Sequence, residues 1–152
     1  MSSKKFPSKI LLIDDDEDEY FIFSDIIKNL DDNIELNYLS GPAEIQPHTD
    51  FSKPDILFLD INMPTWSGFD WLNWIREKGH NFPVIMYSTS KNPDVVRRAY
   101  GAGAHLYLNK PMEFHELVSS VSYILQLDWT RPTSIRGQHI DRRDYPEHIM
   151  AG

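Results

Sequence analysis

Short apolar runs alternate with longer amphipathic stretches along this chain. Residues 10–13, 34–39, 56–59, 84–87 and 105–108 have the length and composition of β-strands. Residues 10–13 and 56–59 are apolar throughout, as parallel strands covered on both faces would be. The intervening segments change period. Phe23, Ile26, Ile27 and Leu30 fall at i, i+3, i+4 and i+7 and predict a helix over 17–30. A short element starts near Pro42, and Leu72 and Ile75 mark the inward side of a helix over 69–78. Asn92 as N-cap with Pro93 in the first helical position opens another, which ends by Gly101 or Gly103. The clearest period, Phe114, Leu117, Val118, Val121, Ile124 and Leu125, predicts a helix over 113–127.

Strand–helix alternation of this kind implies a doubly wound α/β fold: a five-stranded parallel sheet, helices on both faces, right-handed crossovers. A length of 152 residues fits one domain. After Asp128 the periodicity stops, so residues 1–127 read as the domain. Residues 128–152 read as a tail or appended helix that leaves no room for an output domain. With 23 acidic against 15 basic side chains, the net charge is −8, which argues against nucleic acid or an anionic membrane as the main partner. The absence of cysteine excludes disulfides, thiolate zinc sites and cysteine nucleophiles. No apolar run has the length of a signal peptide or a membrane span, and we expect a cytoplasmic protein.

The chemistry gathers at strand ends. Residues 10–13 run into Asp14 and Asp15, and residues 56–59 into Asp60. In a sheet of order 2-1-3-4-5, strands 1 and 3 flank the switch point where ligands bind. Three carboxylates in that crevice need a counter-charge, and a hard oxygen-seeking cation such as Mg2+ supplies it. The fourth strand ends at Ser88 and Thr89, and the fifth at Lys110 followed by Pro111. A lysine opposite carboxylates suits a phosphate oxygen, and an aspartate can act as nucleophile toward phosphorus.

These residues resemble the receiver domain of two-component response regulators. The resemblance rests on Ile13-Asp14-Asp15-Asp16, Asp60-Ile61-Asn62-Met63-Pro64 with Gly68 following, Val84-Ile85-Met86-Tyr87-Ser88, and Ala102-Gly103-Ala104 leading to Tyr107-Leu108-Asn109-Lys110-Pro111. It implies a flavodoxin-like fold and a phosphoacceptor switch, with Asp60 taking a phosphoryl group from a sensor histidine kinase or a histidine phosphotransfer protein. It further implies Mg2+ on Asp15, Asp60 and the backbone carbonyl of Asn62, with Asp14 acting through water. Lys110 and Ser88 would contact the phosphoryl group, and Tyr107 would turn inward after transfer. That would repack helix 92–101, strand 105–108 and helix 113–127 toward a downstream protein target. The family pattern also suggests a cis Lys110–Pro111 bond. Thr89 stands where the family usually has a smaller residue, which leaves the dephosphorylation rate open.

Other readings compete. A Mg2+-dependent phosphatase or phosphotransferase acting on small molecules would need a substrate pocket above the sheet, and no insertion is long enough. A pseudo-receiver that only binds partners would not need Asp15, Asp60, Ser88 and Lys110 together. Residues 16–19 read as solvated acids at a helix N-terminus. Trp66, Trp71 and Trp74 read as cover for a helix, with a docking surface as the sharper alternative. His48, His80, His105, His115, His139 and His148 show no metal-ligand spacing. Trp129, Ile135, Ile140, Tyr145 and Ile149 in the tail read as loosely packed or, alternatively, as a homodimer or partner contact.

Overall fold

The computed structural model of the chain describes residues 7–44, 54–135 and 148–150. The elements run β1 (Lys9–Ile13), α1 (Glu17–Leu30), β2 (Glu35–Leu39), a 3-10 turn (Pro42–Glu44), β3 (Ile56–Asp60), α2 (Gly68–Glu77), β4 (Val84–Ser88), α3 (Pro93–Gly101), β5 (Leu106–Asn109), α4 (Phe114–Leu125), α5 (Pro132–Ile135) and β6 (Ile149–Met150). The sheet order is β2-β1-β3-β4-β5-β6, so the expected parallel core of order 2-1-3-4-5 is present.

β3, β4 and β5 are buried at every residue, because helices cover both faces of the sheet. Alternate side chains therefore enter two separate cores. Ile10, Leu12, Phe58, Ile85, Tyr87 and Leu108 pack with Phe23, Ile26 and Ile27 of α1 and Leu117, Val121 and Ile124 of α4. On the opposite face, Leu11, Ile13, Leu57, Leu59 and Met86 pack with Trp71, Leu72 and Ile75 of α2 and Val96 and Ala99 of α3.

The helix boundaries follow local chemistry. Asp16 caps α1 by accepting from the Asp18 N–H at 3.0 Å, and Asn92 caps α3 by accepting from the Asp94 N–H at 2.9 Å. Ser67 and Asp70 form a reciprocal capping box at the start of α2. Gly103 follows α3 with φ of +107°, a conformation that side chains with a Cβ rarely adopt. The short element that the sequence predicts near Pro42 is, among the described residues, a three-residue 3-10 turn.

The tail departs most from expectation. Ile135 and Ile149 are buried and join the α1/α4 core, and the Trp129 indole donates to the Ile124 carbonyl at 2.7 Å. β6 adds a sixth strand, antiparallel to β5, pairing Tyr107 with Met150 and Leu108 with Ile149. The physical reason lies in β5, which would otherwise present an open edge of unpaired backbone groups. A two-residue strand carries no readable periodicity, which is why the sequence did not reveal it. Ile140 and Tyr145 lie outside the described residues, as do His48 and His139.

Replacing Ile135 by Ala removes a side chain that is 2% exposed. We expect a loss of about 2 kcal/mol in urea unfolding, in line with other large-to-small core changes. An unchanged midpoint would show that the tail adds nothing to the core.

Candidate functional site

β1 and β3 are parallel neighbours in register, with Ile13 opposite Leu59. The residues that follow therefore emerge side by side at the carboxyl edge of the sheet. Carboxylate oxygens of Asp14, Asp15 and Asp60 all lie within 4.8 Å of one another. Asp14 and Asp60 are buried at 0% and 4% exposure, whereas Asp15 is exposed. Lys110, entering from β5, places Nζ 3.4 Å from Asp60 Oδ1 and 3.8 Å from Asp14 Oδ2.

The two buried acids are held differently. Asp14 Oδ1 accepts from the Asp16 N–H at 2.8 Å, and Oδ2 accepts from the Tyr87 hydroxyl. The Tyr38 hydroxyl donates to the Asp14 backbone carbonyl at 2.7 Å, its ring stacked on Tyr20. Asp60 Oδ1 accepts from the Asn62 N–H at 3.3 Å and faces Lys110. Burial pushes the Asp60 carboxyl up to about 7; the Lys110 ammonium pulls it down and the Asp14 carboxylate adds to the rise. Glu19, expected to be solvated, is half-buried. Burial lifts its carboxyl above the ordinary value, against the attraction of Lys110.

Around this centre lie the ends of β4 and β5. The Ser88 hydroxyl is buried and accepts from the Asn62 side-chain amide at 3.0 Å and the Ser90 N–H at 3.1 Å. Thr89 is exposed. Tyr107 is already inward and fully buried, its hydroxyl donating to the Ser90 carbonyl at 2.7 Å. Its backbone N–H donates to the Tyr100 hydroxyl, which in turn donates to the Met150 carbonyl. The expected cis Lys110–Pro111 bond is absent: the described residues contain no cis peptide. The bond adopts the trans form that X–Pro steps favour by about 0.5–1 kcal/mol.

Gly68 is where α2 meets the site. A Cβ there would stand 2.5 Å from the Asp60 carbonyl oxygen and 2.8 Å from Ile61 Cα, so the β3–α2 connection closes over the end of β3 only with glycine. Trp71 is fully buried and packs edge-on against Trp66 and Trp74, which places this cluster in the α2 core. Among the described residues the three aspartates form the group that could hold a metal ion; His80, His105, His115 and His148 take no part.

Sequence reasoning found Asp14, Asp15, Asp60, Asn62, Ser88, Tyr107 and Lys110, and the fold brings them to one edge. It missed Tyr87, Tyr38, Glu19 and Asn109. Asn109 is buried, and its amide donates to the Ser88 carbonyl at 3.2 Å and the Ser90 carbonyl at 3.4 Å. A polar side chain at the end of an otherwise apolar buried strand was the available signal for Asn109.

The response regulator receiver domain family matches residues 10–122. The chain belongs to this family. Sensory transduction protein BceR of Halalkalibacterium halodurans is 30% identical over 119 residues, covering 78% of this chain and 50% of that protein. Transcriptional regulatory protein PrrA of Mycobacterium tuberculosis is 29% identical over 132 residues, covering 83% of this chain and 53% of PrrA. The receiver domain thus spans about half the length of these curated relatives. The crystal structure of the phosphorylated cyanobacterial phytochrome response regulator RcpA superposes with a TM-score of 0.68 at 24% identity, over 77% of this chain and 90% of that one. At that identity the likeness is one of fold. Among the described residues, no helix of the receiver domain is long and apolar enough to cross a membrane.

Two expectations follow from this geometry. A carboxyl whose affinity for protons rises on folding supports the folded state below its unfolded value of 3.8, and loses that contribution as pH climbs to about 7. In metal-free buffer the thermal midpoint of Asp60→Asn should therefore gain on that of the wild type as pH rises through this window. A difference that stays constant with pH would contradict the raised value. Gly68→Ala forces backbone at Asp60 and Ile61 to move. We expect about 1–3 kcal/mol of destabilisation by denaturant titration, as overpacking generally costs.

Proposed function

We propose that Asp60 is the phosphoacceptor of a two-component His-to-Asp relay, taking its phosphoryl group from a phosphohistidine on a sensor kinase or phosphotransfer protein. The observation that carries this reading is the convergence of the Asp14, Asp15 and Asp60 carboxylates within 4.8 Å, with the Lys110 ammonium 3.4 Å from Asp60. An Asp60 oxygen attacks phosphorus as the bond to the donor nitrogen breaks, giving an acyl phosphate. Among the described residues no hydrogen bond reaches Asp60 Oδ2, so that oxygen is available for the attack.

The donor set is all oxygen, two acids buried and one exposed, and this fits a hard divalent cation such as Mg2+. Asp15, Asp60 and the Asn62 backbone carbonyl would hold it. Asp14, with both oxygens already engaged, would act through water. A bound cation supplies charge neutralisation as the phosphoryl group arrives. Lys110 then pairs with a phosphoryl oxygen. Ser88 Oγ, now bonded to Asn62 and Ser90, is placed to turn toward the phosphoryl group. Tyr107, locked to the Ser90 carbonyl, reports that movement to β5 and the adjoining helix faces, where a downstream protein would read it. On this reading the domain is a signalling phosphoacceptor whose chemistry is limited to its own phosphorylation and dephosphorylation.

Intact-protein mass spectrometry after acetyl phosphate should show one added phosphoryl group, dependent on Mg2+. Asp60→Asn should remove it, and label persisting on that variant would refute the site. Catalytic turnover of free phosphate esters would instead favour a small-molecule phosphatase. Lys110→Ala should fold and yet weaken the phosphorylation-driven amide shifts along β5 seen by NMR. A response equal to that of the wild type would remove Lys110 from the mechanism.

A further inference from the structure

We propose that Tyr87 is a positioning residue of the acid site: it ties the Asp14 carboxylate and the Lys110 ammonium into one unit, and so sets the affinity of the site for its divalent cation. The inference deepens the cation reading above and rests on it. Tyr87 is 1% exposed, on the face of β4 that packs against Phe23 of α1. An apolar side chain would fill that place equally well. Tyr87 does two things an apolar side chain could not. Its hydroxyl donates to Asp14 Oδ2, and its ring face lies under Lys110 Nζ, 4.5 Å from the ring centroid.

The same ammonium stands 3.8 Å from that Asp14 oxygen and 3.4 Å from Asp60 Oδ1. One buried side chain therefore contacts the positive and a negative member of the cluster at once. A buried carboxylate needs all its hydrogen bonds, and Asp14 obtains one on each oxygen, from the Asp16 N–H and from Tyr87. Without the phenol, Oδ2 keeps only Lys110 as a close partner. The carboxylate then turns toward the ammonium and draws it away from Asp60. Both movements disorder the oxygens that surround the cation and its waters. Tyr38 cannot substitute, because its hydroxyl is spent on the Asp14 backbone carbonyl.

The test is calorimetric titration with Mg2+ alone, in the absence of any phosphodonor. Tyr87→Phe keeps the ring, the volume and the seat for Lys110, and loses only the hydroxyl. We expect its Kd for Mg2+ to rise roughly tenfold, the low end of the scale of one lost hydrogen bond to a charged group. Tyr87→Leu also removes the ring face and should bind more weakly still. In metal-free NMR spectra Tyr87→Phe should shift the Asp16 amide, which reports the Asp14 carboxylate through its own hydrogen bond. Wild-type or tighter Mg2+ affinity in Tyr87→Phe, or an unmoved Asp16 amide, would overturn the inference while leaving the cation site standing. No saturable Mg2+ heat from the wild type would overturn the cation reading and this inference with it.

Discussion

The site depends on holding like charges together. Two parallel strands deliver three aspartates to one edge, and two of these acids are buried where ionised carboxylates are least favoured. Lys110 is the close positive charge among the described residues, so the ionised cluster would carry an excess of negative charge. The surrounding polar groups relieve part of this strain. Asp14 is secured by a backbone N–H and a phenol, whereas Asp60 has a single long backbone contact and the ammonium. Asp60 consequently has the weaker support, and burial first, with the Asp14 carboxylate adding to it, raises its carboxyl. A site in this condition attracts a cation before it attracts an anion. That order of events would suit the proposed transfer of a phosphoryl group to Asp60.

The fold produces this arrangement through strand order more than through loops. Adjacency of β1 and β3 makes the acids neighbours, and Gly68 lets α2 begin directly over the end of β3. β5 supplies the opposing charge and extends the site outward. Asn109 and Tyr107 both hold the Ser90 carbonyl, and the Asn109 N–H donates to the His148 carbonyl at 2.7 Å. One four-residue strand thus carries Lys110 at its end, the serine segment at one side and β6 at the other. Packed strands of this kind shift between discrete arrangements rather than deforming continuously.

The sequence made the core strands, the helices and the acid–lysine constellation legible because each leaves a periodic or terminal mark. Helix 17–30 shows its apolar stripe and acidic start, and Asp14, Asp15, Asp60 and Lys110 terminate apolar runs. What stayed hidden depends on contacts across the sheet. Tyr87 lies within an apolar run, and nothing in the run reveals that its hydroxyl meets a residue 73 positions away. Ile135 and Ile149 belong to segments with no period, and their burial is decided by the edge of β5 and the α1/α4 core. The Lys110–Pro111 peptide was inferred from family pattern, and the trans bond found reflects the ordinary preference of the tertiary amide.

Family membership alone does not say how the Asp60 carboxyl is held in this chain. That follows from the balance at Asp60 itself. Burial and Asp14 raise its carboxyl while Lys110 and the Asn62 N–H lower it, and the opposing influences leave it near neutrality. A group so poised takes up or loses its proton around neutral pH. Lys110 is shared between Asp60 and Asp14, so any gain of charge on one is felt at once by the other. The Lys110 N–H donates to the Ser88 carbonyl at 2.8 Å, which links the lysine to the serine segment that Tyr107 grips. The electrostatics of Asp60 and the packing of β5 are therefore joined at Lys110, and on the proposed reading a phosphoryl group on Asp60 would act on both through that side chain.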